Sequence, residues 1–424
     1  MLAQELGFKI YAVGGFVRDI LLARPNLDID LVVEGDGIRF ARELAKVRQG
    51  RVKEHQKFKT AVVVFPDGQR IDVATARLEY YEYPTALPTV ELSSIKLDLY
   101  RRDFTINALA LNLTPGHFGQ LMDFFGAQRD IKEKVIRVLH SLSFVEDPTR
   151  ILRAVRFEQR FSFRIDGQTL KLIKNAVQLN LFAKLTGIRL AHELQIILGE
   201  ENVLENLNRL QDLKLLAAIH PQLNQDAERL RVLMELHKVH TWYTLLYLEP
   251  PASTWKLYML GLTMGADHDH LEDICRRLSF TERELRDFLA LRDHIGEALA
   301  KLMTWQDGQS SLSDIYFVLD QLPLEGVLFL MARSRREVMR KNISQYLTRM
   351  RSQEMLIDGS DLKLIGLRDG PSFAKVLRKV RAAAVDGAAT TREKQLELAK
   401  TLVETLRNQG TEERRGPHGE QRRK

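Results

Sequence analysis

The sequence has a single cysteine, Cys275, among its 424 residues. One cysteine excludes an intramolecular disulfide, and we expect it to be an unreactive helix residue in a reducing compartment. No apolar run approaches the roughly 18 residues that a membrane-spanning helix needs, and no secretory signal opens the chain. These absences predict a cytoplasmic protein without a membrane anchor.

The chain has a modest excess of positive charge. Its formal charge is +7 and its pI is near 9.3, which favours a polyanionic partner over an acidic one. Hydrophobic residues make up 45% and charged residues 28%, the balance of an ordinary globular protein. The length allows two to four domains with substantial cores. Oligomeric state is not encoded in any of these features.

Two aspartates, Asp28 and Asp30, lie in a segment whose apolar alternation predicts a β-strand over residues 28–33. Successive side chains of a strand point to opposite faces, so both carboxylates project to one side. Oxygen ligands of this kind suit Mg²⁺, which takes its remaining ligands from water and substrate phosphates. The pair therefore predicts a metal site, although the spacing alone also fits a solvated turn.

Two glycines precede this strand. Gly14 and Gly15 separate a strand predicted over residues 10–13 from a short helix that carries Arg18. Glycines between a strand and a helix N-terminus allow backbone N–H groups to approach a phosphate closely. A guanidinium can add a two-pronged phosphate contact. This arrangement favours a nucleotide site beside the aspartates.

The next segments predict the rest of a mixed sheet. Residues 36–47 have the apolar spacing of an amphipathic helix, and three strand-like runs follow it up to residue 75. In the last run, residues 70–75, Asp72 lies on the face opposite to its apolar neighbours. If this strand pairs beside Asp30, Asp72 becomes a third site carboxylate; a solvated strand aspartate fits the spacing equally well.

The stretch after the sheet has no clear periodicity. Residues 77–100 contain two prolines and four tyrosines, which predicts a long loop that is functional or mobile. Residues 101–111 are then predicted to form a basic turn that is followed by a strand or a helix. The turn is rich in polar residues, namely Arg101, Arg102, Asp103 and Asn107. Taken alone, these residues fit a salt-bridged helix start better than a binding site.

From about residue 141 the pattern is helical. Glu146 and Asp147 precede Pro148, which is typical of a helix start. Three arginines recur every third residue along this helix, namely Arg150, Arg153 and Arg156. Such a flank is normally a solvated face; its acidic start and its position after the carboxylate strands keep a ligand-facing role as the alternative.

The C-terminal part carries a strongly basic segment. Residues 331–351 predict one basic helix that lies along a phosphate backbone. The residues that we assign to contacts with the phosphate backbone of a nucleic acid are Arg333, Arg336, Arg340 and Lys341. Residues 359–370 and the helix after them resemble a compact loop-and-helix unit. The chain from residue 410 is polar and aperiodic, which predicts disorder.

Four motifs in this order resemble the class II tRNA nucleotidyltransferase and bacterial poly(A) polymerase family. They are GGFVRD, DID, RRDFTINALA and EDPTRILRAVRF, and the resemblance covers roughly residues 9–220. The stretches EYYEYPTALPTVE and LHSLSFVEDPTR are most similar to bacterial members that carry an N-terminal DHH and CBS extension. Some of those members add only the terminal adenosine of tRNA. The resemblance implies that this chain is the catalytic portion of such a protein.

The family resemblance implies an α+β fold. It places an N-terminal nucleotidyltransferase head with a small mixed β-sheet before all-α neck, body and tail domains. The expected boundaries are 1–138 for the catalytic head, 139–220 for the neck that recognises the nucleobase, 221–345 for the body, 346–409 for the tRNA-binding tail and 410–424 for a disordered end.

The resemblance also implies roles for the site residues. Asp28 and Asp30 would hold two Mg²⁺ ions, with Asp72 as a further catalytic carboxylate. The residues implied in triphosphate and ribose binding are Gly14, Gly15, Arg18, Arg102, Asp103 and Asn107. Asp147 and Arg150 would read the edge of the incoming base. Glu146 would fix Arg150, and Arg153 and Arg156 would contact phosphates or stack on the base.

The implied reaction is template-independent addition of the 3′-terminal adenosine to tRNA, with ATP as substrate and release of pyrophosphate. Addition of CC or of full CCA, which would use CTP as well, and poly(A) tailing of other RNAs remain alternatives. An RNA-binding module with an inactive head would be expected to have lost Asp28 or Asp30. A small-molecule nucleotidyltransferase would not need the long helical part that ends in basic segments.

Overall fold

The computed structural model describes residues 2–80, 89–224, 226–305, 310–368 and 370–412. The described residues fall into two compact units. The first unit comprises residues up to Asn224 together with Asp273–Phe280. The second comprises residues 226–272 and the residues from Thr281 onward. The four-domain division stays a prediction.

The strands of the described residues are, in chain order, β1 Lys9–Val13, β2 Ile29–Glu34, β3 Arg51–His55, β4 Thr60–Val64, β5 Arg70–Thr75, β6 Arg77–Tyr80, β7 Thr89–Leu92, β8 Leu109–Asn112, β9 Leu121–Asp123, β10 Val135–Ile136 and β11 Arg164–Ile165. All of them belong to the first unit. The helices up to residue 224 are α1 Leu2–Glu5, α2 Gly15–Leu21, α3 Gly37–Val47, α4 Ile95–Tyr100, α5 Ala127–Lys132, α6 Ser143–Glu146, α7 Thr149–Phe161, α8 Gly167–Gln178, α9 Gly187–Gly199, α10 Val203–Asp212 and α11 Leu215–Ile219.

The helices after residue 224 are α12 Ala227–Leu245, α13 Thr254–Leu262, α14 His268–Arg277, α15 Glu282–Thr304, α16 Leu312–Leu319, α17 Leu324–Arg333, α18 Glu337–Gln345, α19 Gly359–Leu364, α20 Pro371–Val385 and α21 Arg392–Glu412. Helix α14 begins in the second unit and ends in the first. A sheet-containing N-terminal part followed by helices confirms the predicted α+β class.

The central sheet has seven strands in the order β3-β4-β5-β2-β1-β8-β9. Strands β2 and β5 pair in parallel, and every other neighbouring pair in this sheet is antiparallel. The predicted strands up to residue 75 are therefore confirmed, and residues 109–112 add the strand β8. The sheet is mixed, as predicted, but larger than the small sheet that we expected.

Helix α3 covers one face of the sheet. The side chain of Asp36 caps the helix by accepting from the Arg39 backbone N–H at 3.0 Å. Apolar side chains of α3, such as those of Phe40 and Ala41, then pack on Val63 and other inward-facing strand residues. On the other face, α4 contributes Ile95 and Leu99 to a smaller core that covers β1, β8 and part of β2, and Ala74 of β5 is only partly buried against it.

The segment predicted as a long loop is largely ordered, so that prediction was wrong. Strands β6 and β7 pair as an antiparallel hairpin, and α4 follows at once. Arg77 and Arg101 both contact the Glu79 carboxylate at 2.9 Å, which anchors the hairpin to the end of α4. The sequence showed no period because two short strands and a six-residue helix each span too few residues to establish one. Residues 81–88 lie outside the described residues.

The helical part of the first unit is centred on α7. Ile151, Leu152 and Val155 are completely buried, and the helix packs against α9 and α10. Arg150 and Arg156 on the same helix are also buried. The arginine flank is therefore not a solvated face.

The basic segment 331–351 is not one helix, which corrects the prediction. Helix α17 ends at Arg333, and Ser334 and Arg336 adopt extended backbone conformations before α18 begins. The Ser334 hydroxyl accepts from the Arg336 backbone N–H at 3.2 Å, which stabilises the break. Residues 346–350 then form a π-helical turn.

The last three helices share a small core of their own. Leu362 of α19, Val376 and Val380 of α20 and Val403 of α21 form its centre, which agrees with the predicted compact unit. Helix α21 continues to Glu412, beyond the predicted start of disorder at residue 410. Residues 413–424 lie outside the described residues.

No helix in the described part of the chain combines enough length and hydropathy to cross a membrane by itself. Helices α16 and α17 reach that length and hydropathy only together, and the pair is bent by 117°.

Candidate active site

A cleft of about 560 Å³ in the first unit brings together most of the predicted site residues. They come from the β1–α2 turn, strand β2, the segment after α4, and helix α7. The predicted residues that line the cleft are Gly14, Gly15, Arg18, Asp28, Asp30, Arg102, Asp103, Asn107, Asp147, Arg150, Arg153 and Arg156. Asp72 and Glu146 do not line it. Residues 120 positions apart in the sequence thus share one cavity.

The turn between β1 and α2 requires glycine at its first position. Gly14 has φ of 70°, a conformation that side-chain-bearing residues rarely adopt. A Cβ atom there would lie 2.7 Å from Nη1 of Arg102 and 3.9 Å from Oδ2 of Asp30. The turn backbone therefore lies directly against an arginine and a carboxylate of the cleft.

The three candidate carboxylates differ in their positions. Strand β2 begins one residue later than predicted, because the Asp28 backbone N–H donates to the Asn26 side chain at 2.8 Å. Asp28 and Asp30 are exposed in the cleft. Asp72 lies opposite Asp30 in the parallel β2–β5 register, forms an ion pair with Arg70 at 3.1 Å, and faces an adjoining hollow instead.

The electrostatics of Asp30 fit a cation site. Although the Asp30 side chain is accessible from the cleft, the surrounding cleft walls desolvate its carboxyl group and raise its pKa; Arg102 lowers this pKa, and Asp72 and Asp28 raise it further. A bound cation would compensate for the desolvation of the Asp30 carboxyl group and for its repulsion by the other two carboxylates. In the described part of the chain, no three side chains among His, Cys, Asp and Glu form a metal cage. The donor set is instead two open carboxylates, which suits a metal that takes its other ligands from substrate phosphates.

Arg18 is held by protein groups. Its Nε and Nη2 donate to the two carboxylate oxygens of Asp19 at 2.8 and 2.9 Å, and its Nη1 donates to Asn107 Oδ1 at 2.5 Å. Its guanidinium also lies 4.5 Å from the centre of the Phe161 ring. Arg18 is buried in the cleft wall, where it fixes Asn107.

Asp103 is the centre of a second network. It accepts from Nε and Nη2 of Arg153 at 2.8 and 2.5 Å, from the Asn107 side chain at 2.9 Å, and from the Phe104 backbone N–H at 2.8 Å. Burial alone would raise the pKa of Asp103, but Arg153 and Asn107 together hold it at about 2. The carboxylate is therefore ionised, and it fixes both partners.

Arg102 is the arginine with the largest electrostatic effect on the Asp30 carboxyl group. Its Nη2 donates to Asp98 at 3.1 Å. Its Nε is buried and has no hydrogen-bond partner among the described residues, and the same is true of Nε of Arg156. Buried guanidinium donors without a partner are costly unless a ligand satisfies them. Both arginines line the cleft.

Asp147 and Arg150 line the same cleft but have separate partners. The Arg150 guanidinium donates to the Ser143 hydroxyl and to the Arg101 backbone carbonyl, each at 2.8 Å. Glu146 lies 3.8 Å from Arg150, close to the contact that we predicted. Asp147 forms an ion pair with Arg189 of α9 at 2.6 Å and also accepts from the Thr149 hydroxyl at 2.5 Å.

Helix α9 supplies acidic partners that the sequence analysis missed. Glu193 lies 3.5 Å from both Arg153 and Arg156, and Glu200, directly after α9, pairs with Arg160 at 2.5 Å. The apolar run LAHELQIIL suggested a core helix only. The signal available in the sequence was a glutamate in the middle of that run, because an unpaired buried carboxylate is unfavourable.

The four basic residues predicted to bind RNA differ in their surroundings. Arg333 and Lys341 are exposed. The Arg336 guanidinium donates to the backbone carbonyls of Met303 and Trp305 at 3.2 and 3.1 Å. Arg340 forms an ion pair with Glu235 at 2.8 Å. RNA binding by this set stays a prediction.

The chain is similar to known enzymes along almost its whole length. Residues 10–137 match the family described as Poly A polymerase head domain. The A-adding tRNA nucleotidyltransferase of Geobacter sulfurreducens is 48% identical over 95% of this chain, which spans 46% of that protein. The enzyme of the same name from Halalkalibacterium halodurans is 32% identical over 94% of this chain and 90% of its own length.

Solved structures agree with the sequence similarity. The Thermotoga maritima CCA-adding enzyme in complex with tRNA superposes with a TM-score of 0.74 at 34% identity, over 96% of this chain and 93% of that one. A CCA-adding enzyme with ATP gives 0.76 at 34% identity over 96% and 92%. A tRNA-processing enzyme with CTP gives 0.74 at 32% identity over 91% and 100%.

The predicted likeness to members with a DHH and CBS extension stays a prediction. The fold, the head-domain match and a relative covered over nine-tenths of its length agree with one another. The chain belongs to the class II tRNA nucleotidyltransferase family that is built on the poly(A) polymerase head domain.

Proposed function

We propose that this protein adds the 3′-terminal adenosine to tRNA in the cytoplasm, with ATP as the donor and pyrophosphate as the released product. One observation carries the proposal: the paired carboxylates Asp28 and Asp30 share a single cleft with Asp147 and Arg150. The 48% identity to an A-adding enzyme supports adenosine as the added nucleotide. Because the chain spans 46% of that relative, the activity of this chain by itself is part of the proposal.

In the proposed reaction, the 3′-hydroxyl oxygen of the RNA forms a bond to the α-phosphorus of ATP. The bond from that phosphorus to the pyrophosphate oxygen breaks, and the hydroxyl proton passes to solvent. Nucleotidyl transfer of this kind depends mainly on positioning and charge stabilisation, so it needs no protein nucleophile. The residues of this chain would therefore act by binding and orienting the two substrates.

Asp28 and Asp30 are the residues that would hold Mg²⁺. In two-metal sites, the bound ions activate the attacking hydroxyl and neutralise the leaving group. Gly14 would let the turn backbone approach the triphosphate, since any larger residue would displace Arg102. The free Nε donors of Arg102 and Arg156 are suited to phosphate or ribose oxygens.

The charge of the cleft supports a nucleotide that arrives with metal. Among the described residues that line it, seven arginines face seven carboxylates. A lining of balanced charge attracts a bare tetraanion weakly, whereas one Mg²⁺ ion halves the negative charge of a nucleoside triphosphate and two Mg²⁺ ions neutralise it. The two carboxylates without an arginine partner, Asp28 and Asp30, are the ones proposed to bind the metal.

Asp147 and Arg150 would select the base by its hydrogen-bonding edge. Adenine presents an amino donor beside a ring-nitrogen acceptor, which a carboxylate and a guanidinium can match. Guanine and uracil present a carbonyl beside an N–H group, so both contacts would be mismatched. Leaving such groups unpaired costs on the order of 1–3 kcal/mol each. Arg189 would keep the Asp147 carboxylate oriented for this contact.

Addition of CC or of full CCA is the second candidate. Cytosine presents the same amino and ring-nitrogen pattern as adenine, so the Asp147 and Arg150 pair does not separate the two bases. The similar structure of a tRNA-processing enzyme with CTP supports keeping CTP as a possible substrate.

The test offers the purified chain three tRNA transcripts, ending before the first C, after CC and after CCA, with each labelled nucleoside triphosphate separately. We expect incorporation of AMP from ATP onto the transcript that ends in CC and onto neither of the others. Incorporation of CMP would contradict adenosine-only addition. A series of A residues added to the CCA transcript would favour poly(A) tailing.

A further inference from the structure

Within the ranges that the structure describes, no element covers the β3 and β4 part of one face of the central sheet. Glu54 of edge strand β3 contacts Arg42 of α3 at 2.6 Å, so it points to the helix-covered face. Its neighbours Lys53 and His55 therefore point to the opposite face, because side chains alternate along a strand. The small core under α4 covers β1, β8 and part of β2 on that face. The corresponding side chains of β3 and β4, such as Lys53 and Val64, are exposed to solvent or only half-buried.

The strand register links this open face to the candidate catalytic aspartate. Lys53 lies opposite Val62, Val62 opposite Asp72, and Asp72 opposite Asp30. Residues directly opposite each other on paired strands share a face. One row thus runs from the sheet edge to Asp30 across three strand spacings, which is about 14 Å.

A hollow of about 330 Å³ lies in the middle of this row. Val62, Ala74 and Val32 contribute apolar surface to it, and Asp72 lines it as well. The hollow shares Asp30 and Arg102 with the nucleotide cleft. A group bound in the hollow would therefore lie next to the cleft, with Asp30 between them.

The outer end of the row is basic. Arg51 and Lys53 alternate with inward-facing residues on β3, so they lie on the open face, and both are exposed. Neither forms an ion pair with any residue in the described ranges, whereas Arg70 nearby is paired with Asp72. Unpaired cations on the same face as a carboxylate site favour a polyanion that extends away from that site.

We propose that the 3′ end of the RNA acceptor crosses this open sheet face. The terminal nucleoside occupies the hollow with its ribose hydroxyl toward Asp30, and the phosphates before it contact Lys53 and Arg51. This inference rests on the proposed function and names the surface that receives the second substrate. In this proposal Val62 forms the floor of the acceptor site, and the basic side chains of β3 attract the RNA phosphates.

The charge part is tested with Lys53→Gln, Arg51→Gln and the double variant. Binding of an RNA minihelix ending in CC is measured by fluorescence anisotropy over a series of salt concentrations. We expect weaker binding and a slope of log K against log salt that is shallower by about 0.7 for each lost single-strand phosphate contact. Lys46→Gln, the same change on the helix-covered face, is the control. Unchanged slopes for the β3 variants, or an equal change for Lys46→Gln, would overturn the proposal.

The hollow is tested with Val62→Trp, which fills it. We expect the KM for the RNA acceptor to rise at least tenfold while the Kd for ATP, measured by calorimetry, stays within twofold. Val47→Trp, at an exposed position of α3, is the matched control. Equal thermal melting of both variants and the parent shows that the fold is intact. A parallel loss of ATP affinity, or an unchanged RNA KM, would refute the assignment of the hollow.

The two proposals fail in different ways. If the parent protein binds the minihelix but transfers no nucleotide to it, the proposed function is wrong. The acceptor surface is then tested only by the minihelix binding of the β3 variants. If the parent protein transfers AMP and the β3 and Val62 variants behave like their controls, the acceptor surface is wrong and the function stands.

Discussion

Asp147 and Arg189 form an ion pair of 2.6 Å between the start of α7 and the first turn of α9. The two residues are 42 positions apart, and no local pattern connects them. Asp147 lines the candidate active-site cleft, whereas Arg189 is not among the residues that line it. The carboxylate that we propose to read the base thus has an ionic partner outside the motifs.

We expect Arg189→Gln to weaken the selection of ATP over GTP. Without the guanidinium, the Asp147 carboxylate loses a charge-assisted contact worth about 1.5–3 kcal/mol, so its orientation toward the base is no longer enforced. The ratio of kcat/KM for ATP to that for GTP should fall about tenfold or more. Arg189→Lys keeps the charge and should restore part of the ratio. An unchanged ratio in both variants would exclude a positioning role.

We expect loss of Asp28 or Asp30 to abolish transfer. Asp28→Asn and Asp30→Asn each remove a proposed metal ligand, and activity should fall by about 1000-fold or more, because such ions stabilise the transition state by several kcal/mol. Asp72→Asn changes a residue of the adjoining hollow and not of the cleft, so it should raise the KM for the RNA acceptor and lower the rate much less than the other two variants. Transfer of labelled AMP to tRNA, with and without a chelator, is the measurement. An Asp72 variant as inactive as the other two would make it the third catalytic carboxylate.

We expect Gly14→Ala to reduce ATP binding at least tenfold. Alanine at a φ of 70° is strained, and its Cβ would displace Arg102, whose guanidinium lies 2.7 Å from that position. Gly68→Ala is the control, since Gly68 also has a positive φ but has open space around its Cβ position. Calorimetric titration with ATP compares the two. Equal losses for both variants would mean that backbone strain alone, and not the contact with Arg102, explains the effect.

We expect the stability contributed by Asp103 to depend on pH below about 4. The pKa of Asp103 is about 2 in the folded protein and about 3.9 in an unfolded chain. A carboxyl group with a lowered folded pKa stabilises the protein above the unfolded value, and this stability is lost as pH falls through the folded value. The contribution at neutral pH is about 3 kcal/mol.

Urea unfolding of the parent and of Asp103→Asn measures this contribution. The difference in free energy of unfolding should be largest above pH 5 and should shrink as pH falls from 4 toward 2. Asp67→Asn, in an exposed turn, provides the baseline for a neutral change. A difference that stays constant over this pH range would show that the Asp103 carboxylate is not stabilised by Arg153 and Asn107.

We expect the four predicted RNA-binding residues of the second unit to behave unequally. Arg333→Gln and Lys341→Gln remove exposed charges, so they should weaken tRNA binding and lower its salt dependence without affecting folding. Arg336→Gln removes donors to two backbone carbonyls and should lower the melting temperature instead. Anisotropy and thermal melting separate the effects. Unaltered tRNA affinity in the Arg333 and Lys341 variants would remove this segment from the RNA surface.

Several features of this protein were determined by the sequence itself. Alternation and turn residues predicted β1 to β5, and the spacing of apolar residues predicted α3, because these patterns are local. The two-residue period of a strand predicted that Asp28 and Asp30 share one side, and both line the cleft although Asp28 directly precedes β2. The motifs were also sufficient to identify the family, because each motif combines residue types that a single chemical task requires. Most of the residues of the cleft were therefore identified before any coordinates.

Only the tertiary structure decided which partners those residues have. Arg18 is occupied by Asp19 and Asn107, and Asp147 is held by Arg189, because α9 packs against α7. Sequence cannot show such contacts, since the distance between two charges depends on how whole helices pack and not on their spacing along the chain. The same reason explains why Asp72 lies beside Asp30 yet faces a different hollow, since strand register and cavity walls are decided by the assembled sheet.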